Sequence, residues 1–151
     1  MGGIRDGSLG DEDHTFDWLM RKTSDSYRVL IGQIMASTSL QTKIIMHNYD
    51  YAYPSGEGVF GKNGSWLKPA LDDAQVPKGL QRPCIKLVID RLSDELHALT
   101  DIDVSRIYLV DSRDTLKAGD WANELHPKPS GFKDIAKKAW LPVLQNAGLA
   151  P

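Results

Sequence analysis

Two short apolar runs set the terms on which this chain can fold. Lys43-Ile44-Ile45-Met46-His47-Asn48 and Arg106-Ile107-Tyr108-Leu109-Val110 are too short for helices and too continuous for strands wetted on one face. Continuous apolarity is what a strand buried on both faces requires, as in a parallel sheet. Between the runs, Ile85, Val88, Ile89, Leu92, Leu96 and Leu99 recur at helical steps and predict a helix from about Leu80 to Leu99. Strand, helix, strand at this spacing predicts a right-handed parallel crossover. A pair of strands is a poor sheet, because each needs cover on both faces and partners at its edges. The pattern therefore calls for further strands, or for part of the sheet to be supplied from elsewhere.

The rest of the chain reads as a single α/β domain over residues 1–151. Met1 to Asp13 is Gly-rich and acidic, with nothing to bury, and reads as a flexible loop. From about Thr15 a second helical stripe begins: Phe16, Leu19, Met20, Thr23, Tyr27, Leu30, Ile31 and Ile34. Thr15 or Asp13 can cap it, and it fades in Ser37-Thr38-Ser39. Residues 49–79 read as a long loop or flap, with Phe60, Trp66 and Leu67 as its anchors. Pro83 fits the middle helix only in its first turn. A last helix starts near Ser130 and shows Phe132, Ile135, Ala136 and Ala139 on one face. Pro142 kinks or ends that helix, and Gly148 closes the chain.

Composition excludes several function classes. Lys and Arg number 18 against 20 Asp and Glu, a formal charge of -2, and no basic run offers a nucleic-acid footprint. No apolar run approaches the roughly 20 residues that span a bilayer. The start, MGGIRDGSLGDEDH, is not a signal peptide, and the compartment stays open because the chain can be a truncated one. Cys84 is the single cysteine, which excludes an internal disulfide or a cysteine-built zinc site; it reads as a half-buried helical thiol. His14, His47, His97 and His126 lack metal-ligand spacing, so no metal is expected, and nothing calls for a cofactor.

In open α/β sheets the active crevice lies beyond the carboxyl ends of the strands. Tyr49 to Pro54 and Asp111 to His126 are the loops at those ends. His126 therefore stands where a general base would be placed, and equally where a surface histidine would precede a helix. Tyr49, Tyr51 and Tyr53 suit either a substrate cleft or the packing of a long loop. Trp66 and Trp121 read as loop anchors, His47 as a hydrogen-bonded histidine at a strand end, and His14 and His97 as solvent-facing.

Trp121 to Pro127, with Asn123-Glu124-Leu125-His126-Pro127 followed by Gly131-Phe132, resembles the last block of the SGNH (GDSL-type) serine hydrolases. The strand ending His47-Asn48-Tyr49-Asp50-Tyr51 and the Gly-rich loop ending Trp66-Leu67 are similar to members of the same family. Gly3-Ile4-Arg5-Asp6 lies where that family's Gly-x-Asn-Asp block would fall. The resemblance implies a flavodoxin-like three-layer αβα sandwich with a parallel sheet, here apparently lacking the N-terminal strands. It implies hydrolysis of small-molecule acyl esters, with His126 as base, Asn123 in the position of the triad acid, and Gly3, Arg5, Asp50 and Tyr49 near the oxyanion or substrate. Departures accompany it. The chain has no Gly-Asp-Ser block, and Ser8 is a weak candidate nucleophile in the wrong letter order. Asn123 is neutral where a carboxylate is usual, with Glu124, Asp120 and Asp50 as alternative acids. Arg5 replaces the Asn of the oxyanion hole. A rival expectation is a non-catalytic remnant that dimerises or pairs with a partner chain through an open sheet edge; a carbohydrate-binding module on the aromatic loop is a third.

Overall fold

A computed structural model describes residues 15–59 and 64–151. The sequence readings on residues 1–13, Gly3, Arg5, Ser8, His14 and Phe60 lie outside the described residues. The chain divides into two units, Met1–Thr42 and Lys43–Pro151. In the first, helix α1 spans Phe16–Ser37. Thr15 caps it: its hydroxyl oxygen accepts from the Trp18 amide at 3.1 Å. Met20 and Ile31 of the expected stripe are buried, whereas Leu19 and Leu30 stand half exposed.

The second unit carries the sheet. Strand β1 is Ile44–His47 and strand β2 is Ile107–Val110, paired in parallel with Ile44 opposite Ile107 and His47 opposite Val110. Mixed α/β structure with a small parallel sheet is thus the architecture, and most of the described residues are helical. Helix α3, Lys78–Thr100, packs on β2, burying Ile89, Leu96 and Leu99. It begins earlier than its apolar stripe, so Pro83 lies in the second turn, not the first. There it gives up one intrahelical amide bond. Val88 of the predicted stripe is exposed.

Residues 49–79 are not all loop. Leu67–Asp73 forms a short helix, α2, joined to α3 where Gln81 Nε2 donates to Asp72 Oδ1 at 2.7 Å. The C-terminal helix is composite: α4 (Pro129–Ile135), a π segment (Ala136–Trp140) and α5 (Leu141–Asn146), with α5 also packing on β2. The π turn stands immediately before Pro142, whose ring and missing N–H would disrupt a regular turn there. Gly148, at φ +71°, closes the helix. Its amide bonds Gln145 and that of Leu149 bonds Leu144, the paired reverse bonds of a Schellman end. The packed face of α4 contains Gly131; Phe132, expected inward, is 54% exposed. Among the described residues no helix is long and apolar enough to cross a membrane.

Strands of four residues make few ladder bonds, and a side chain completes the job. Asn48, buried just past β1, donates from Nδ2 to Ser93 Oγ of α3 at 2.9 Å and to Asp111 Oδ1 at 2.6 Å. Its Oδ1 accepts from the Ser112 amide at 2.7 Å and the Ser112 hydroxyl at 3.1 Å. One amide thereby ties both strand ends to α3. Asn48→Ala should destabilise the second unit by about 2–4 kcal/mol, since it strands several buried polar groups at once. Urea denaturation followed by circular dichroism reads this as a lower midpoint; an unchanged midpoint contradicts the role.

Candidate active site

The loop that carries His126 is a tight hairpin-like turn closed by an isolated antiparallel bridge between Trp121 and Pro127. Inside it the Ala122 amide donates to the His126 carbonyl at 2.8 Å. Asn123 Oδ1 accepts the amides of Leu125 at 3.0 Å and His126 at 2.9 Å. Two N–H donors on one atom identify it as the carboxamide oxygen. The same oxygen lies 3.0 Å from His126 Nδ1. An oxygen that only accepts requires Nδ1 to carry the proton, which leaves Nε2 with its lone pair. That is the tautomer a general base needs. His126 is exposed, and among the described residues Nε2 has no hydrogen-bond partner.

The turn is seated by close backbone approach. A Cβ on Gly131 would come within 3.0 Å of the Asp120 carbonyl oxygen and of Pro127 Cβ, so α4 can start this near the loop only with glycine. The Lys128 amide donates to that Asp120 carbonyl at 2.7 Å. Asp120 itself caps a 3₁₀ turn by accepting the Lys117 amide at 2.8 Å. Asp50 is buried and joins the two strand-end loops: its carboxylate accepts the Tyr51 amide and the Leu116 amide, each at 2.6 Å. Burial pushes its acidity above the usual carboxylate range, against the pull of those amides.

Glu124 faces away from the imidazole. Its side chain is 1% exposed. Oε1 accepts the amides of Gly56 and Lys68, both at 2.9 Å, and Oε2 accepts those of Trp66 and Leu67, both at 2.7 Å. The reading of Glu124, Asp120 or Asp50 as a stand-in triad acid is therefore corrected: each bonds backbone amides, and the group on the imidazole is Asn123. The role of Glu124 went unseen because its partners are 56 to 68 residues distant in sequence.

A cavity of about 280 Å³ opens beside the loop, walled by Tyr49, Asp50, Trp121, Pro127, Phe132 and Trp140 among others. Tyr49 and Asp50 thus share a wall, whereas His126 lies across the turn, in a void of about 10 Å³ with Gly58, Ser65 and Asn123. His47 also reaches the cavity. Its Nδ1 sits 2.9 Å from the Asn48 carbonyl oxygen and its ring tilts against Trp140 at 5.6 Å. Trp121 is buried and anchors the loop, while Trp66 is 58% exposed and does not. The indole Nε1 of Trp121 has no hydrogen-bond partner among the described residues. Tyr51 and Tyr53 pack: Lys86 Nζ stands 3.6 Å above the Tyr51 ring and the Arg82 guanidinium 3.4 Å above Tyr53. Burial, then the hydrogen bond to Asp90, pushes the Tyr51 phenol up to about 12. Among the described residues no cluster of His, Cys, Asp or Glu could hold a metal ion.

Arg113 closes the loop on the other side. It bonds Asp111 Oδ2 at 2.6 Å and Asp90 Oδ1 at 3.0 Å. Those hydrogen bonds hold the Asp111 carboxyl down at about 2. No protein-family model, curated protein sequence or solved structure matches the chain.

A depressed carboxyl stabilises the fold above its unfolded acidity, and that stability is lost as pH falls through the folded value. For Asp111 the window runs from 3.8 down to about 2. Its side chain is 42% exposed, so solvent screening limits the contribution to about 1 kcal/mol or less. Urea midpoints measured across this window should fall less steeply for Asp111→Asn than for the parent; parallel curves would remove Asp111 from the acid response.

Proposed function

We propose that this chain carries the histidine-bearing part of an SGNH-type hydrolase of acyl esters. The observation that supports this is the 3.0 Å contact between Asn123 Oδ1 and His126 Nδ1, with the oxygen held in place by two loop amides. In this reading the finer fold is a flavodoxin-like three-layer sandwich, to which the chain contributes a parallel strand pair. His126 Nε2 takes the proton of a serine hydroxyl as it attacks the ester carbonyl, and then returns it to the leaving alcohol. Asn123 fixes the tautomer as the usual acid does, but without the charge that stabilises imidazolium. The acyl group faces the cavity walled by Tyr49 and Trp121. Gly3 and Arg5 take the oxyanion positions. The serine is assigned to none of the described residues: Ser65 shares the void with His126, and Ser8 lies outside them.

A serine-directed fluorophosphonate probe and turnover of a short-chain aryl ester test the reading. Labelling of the parent is expected, together with a loss of about 10²–10⁴-fold in turnover for His126→Ala. Asn123→Ala should lose turnover as well, through the wrong tautomer. No labelling and no His126-dependent turnover reject the reading for this chain.

A second reading, a remnant that pairs with another chain, is favoured by one observation. The described sheet is a single pair of strands, β1 beside β2, so each strand has an edge without a strand partner there. Size-exclusion chromatography with light scattering is expected to show a dimer or a captured partner. A stable monomer counts against pairing.

A further inference from the structure

We infer that Glu124 is a positioning residue that makes the flap and the His126 loop open and close as one unit, and so keeps the imidazole in its Nδ1–H tautomer. The inference rests on the reading of His126 as the base; its test does not. Neighbouring residues of one turn serve two masters. Asn123 turns inward, to the amides of Leu125 and His126 and to the imidazole. Glu124 turns outward and takes four amides from the flap: Gly56 on one arm, and Trp66, Leu67 and Lys68 on the other. Its own amide donates to the Glu57 carbonyl at 3.0 Å. The four residues between Asn123 and His126 are therefore bonded to both sides.

The flap leaves no slack in this arrangement. Its arms cross at Gly58, where a Cβ would meet the carbonyl carbon of Gly64 at 2.5 Å and the amide nitrogen of Ser65 at 2.6 Å. Backbone lies on backbone there, so one arm cannot lift without the other. The void between flap and turn is about 10 Å³, the space of roughly one water. A carboxylate with both oxygens bonded to amides and 1% exposure has no partial state to retreat to. Breaking one arm leaves charge buried with amides missing, so the contacts break together or not at all. When they break, the turn that aims Asn123 Oδ1 loses its brace. A neutral imidazole released into water favours the Nε2–H form, which moves the lone pair to the wrong nitrogen. The state of the flap is thus written into the tautomer of His126.

Native-state hydrogen exchange of the full chain tests the coupling without any substitution. The amides of Gly56, Trp66, Leu67 and Lys68 should be protected to the same degree as those of Leu125 and His126, within about threefold, and all should respond alike to low urea. Exchange of Leu125 and His126 through openings about tenfold or more frequent than those of the flap overturns the inference. Glu124→Gln then tests the tautomer. One carboxamide oxygen replaces two acceptors, so flap amides should exchange faster, and histidine nitrogen–carbon correlation spectra should move His126 from Nδ1–H toward Nε2–H. Faster flap exchange with an unchanged tautomer also overturns it, reducing Glu124 to a structural latch. If the variant does not fold, the exchange comparison in the parent decides. Loss of the hydrolase reading, by absent probe labelling, leaves these readouts standing; failure of the coupling in an active chain sinks the coupling alone.

Discussion

The carboxamide of Asn48 is the joint on which the second unit turns. Parallel ladders of four residues are weak fasteners, and a one-residue slip would turn every side chain to the wrong face. Asn48 sits where the strands end and uses both amide hydrogens and its oxygen, reaching Ser93 on α3 and Asp111 and Ser112 past β2. Two residues on, Asp50 repeats the device with the Tyr51 and Leu116 amides. Arg113 adds a third link from Asp111 to Asp90 of α3. The loops at the carboxyl ends of the strands are thereby fixed to each other before any contact to the imidazole is considered. A rigid pair of strand-end loops is what allows the 121–127 turn to present a histidine at a defined place.

How much of this could be read from the residues depends on the range of the interaction. Strands and long helices are legible because periodicity is a local property: apolar runs at 44–47 and 107–110, stripes at 16–37 and 78–100. The pairing of Asn123 with His126 is legible too, since three residues of turn suffice to bring a short amide back to the ring. Helix α2 escaped because seven residues containing Pro69 show no stripe. Phe132 was placed inward because a glycine carries no hydropathy; the packed position is Gly131, one residue earlier. The tyrosines of the 49–54 loop gave no hint of their partners, Arg82 and Lys86, which come from another element. Glu124 is the extreme case, an acid in a polar loop whose partners come from the other side of the chain.

The distribution of negative charge follows from the same contacts. Glu124 and Asp50 spend their oxygens on main-chain amides, Asp111 and Asp90 on Arg113. The position next to the imidazole goes to an uncharged amide. Carboxylates hold the framework, and a dipole without charge orients the ring.

The π segment at Ala136–Trp140 has a consequence for counting along the last helix. The Leu141 amide reaches back five residues to the Ala136 carbonyl, so this turn contains one residue more than its neighbours. Gly131 and Ile135 belong to one angular series and the residues from Leu141 onward to another. Trp140 ends the widened turn, and its ring meets His47 from there. A one-residue deletion within 136–140 would restore a regular helix, rotate α5 by about 100° against β2, and swing the indole away from the strand end. The helix is two phases of one element, and the extra residue is what sets the angle between them.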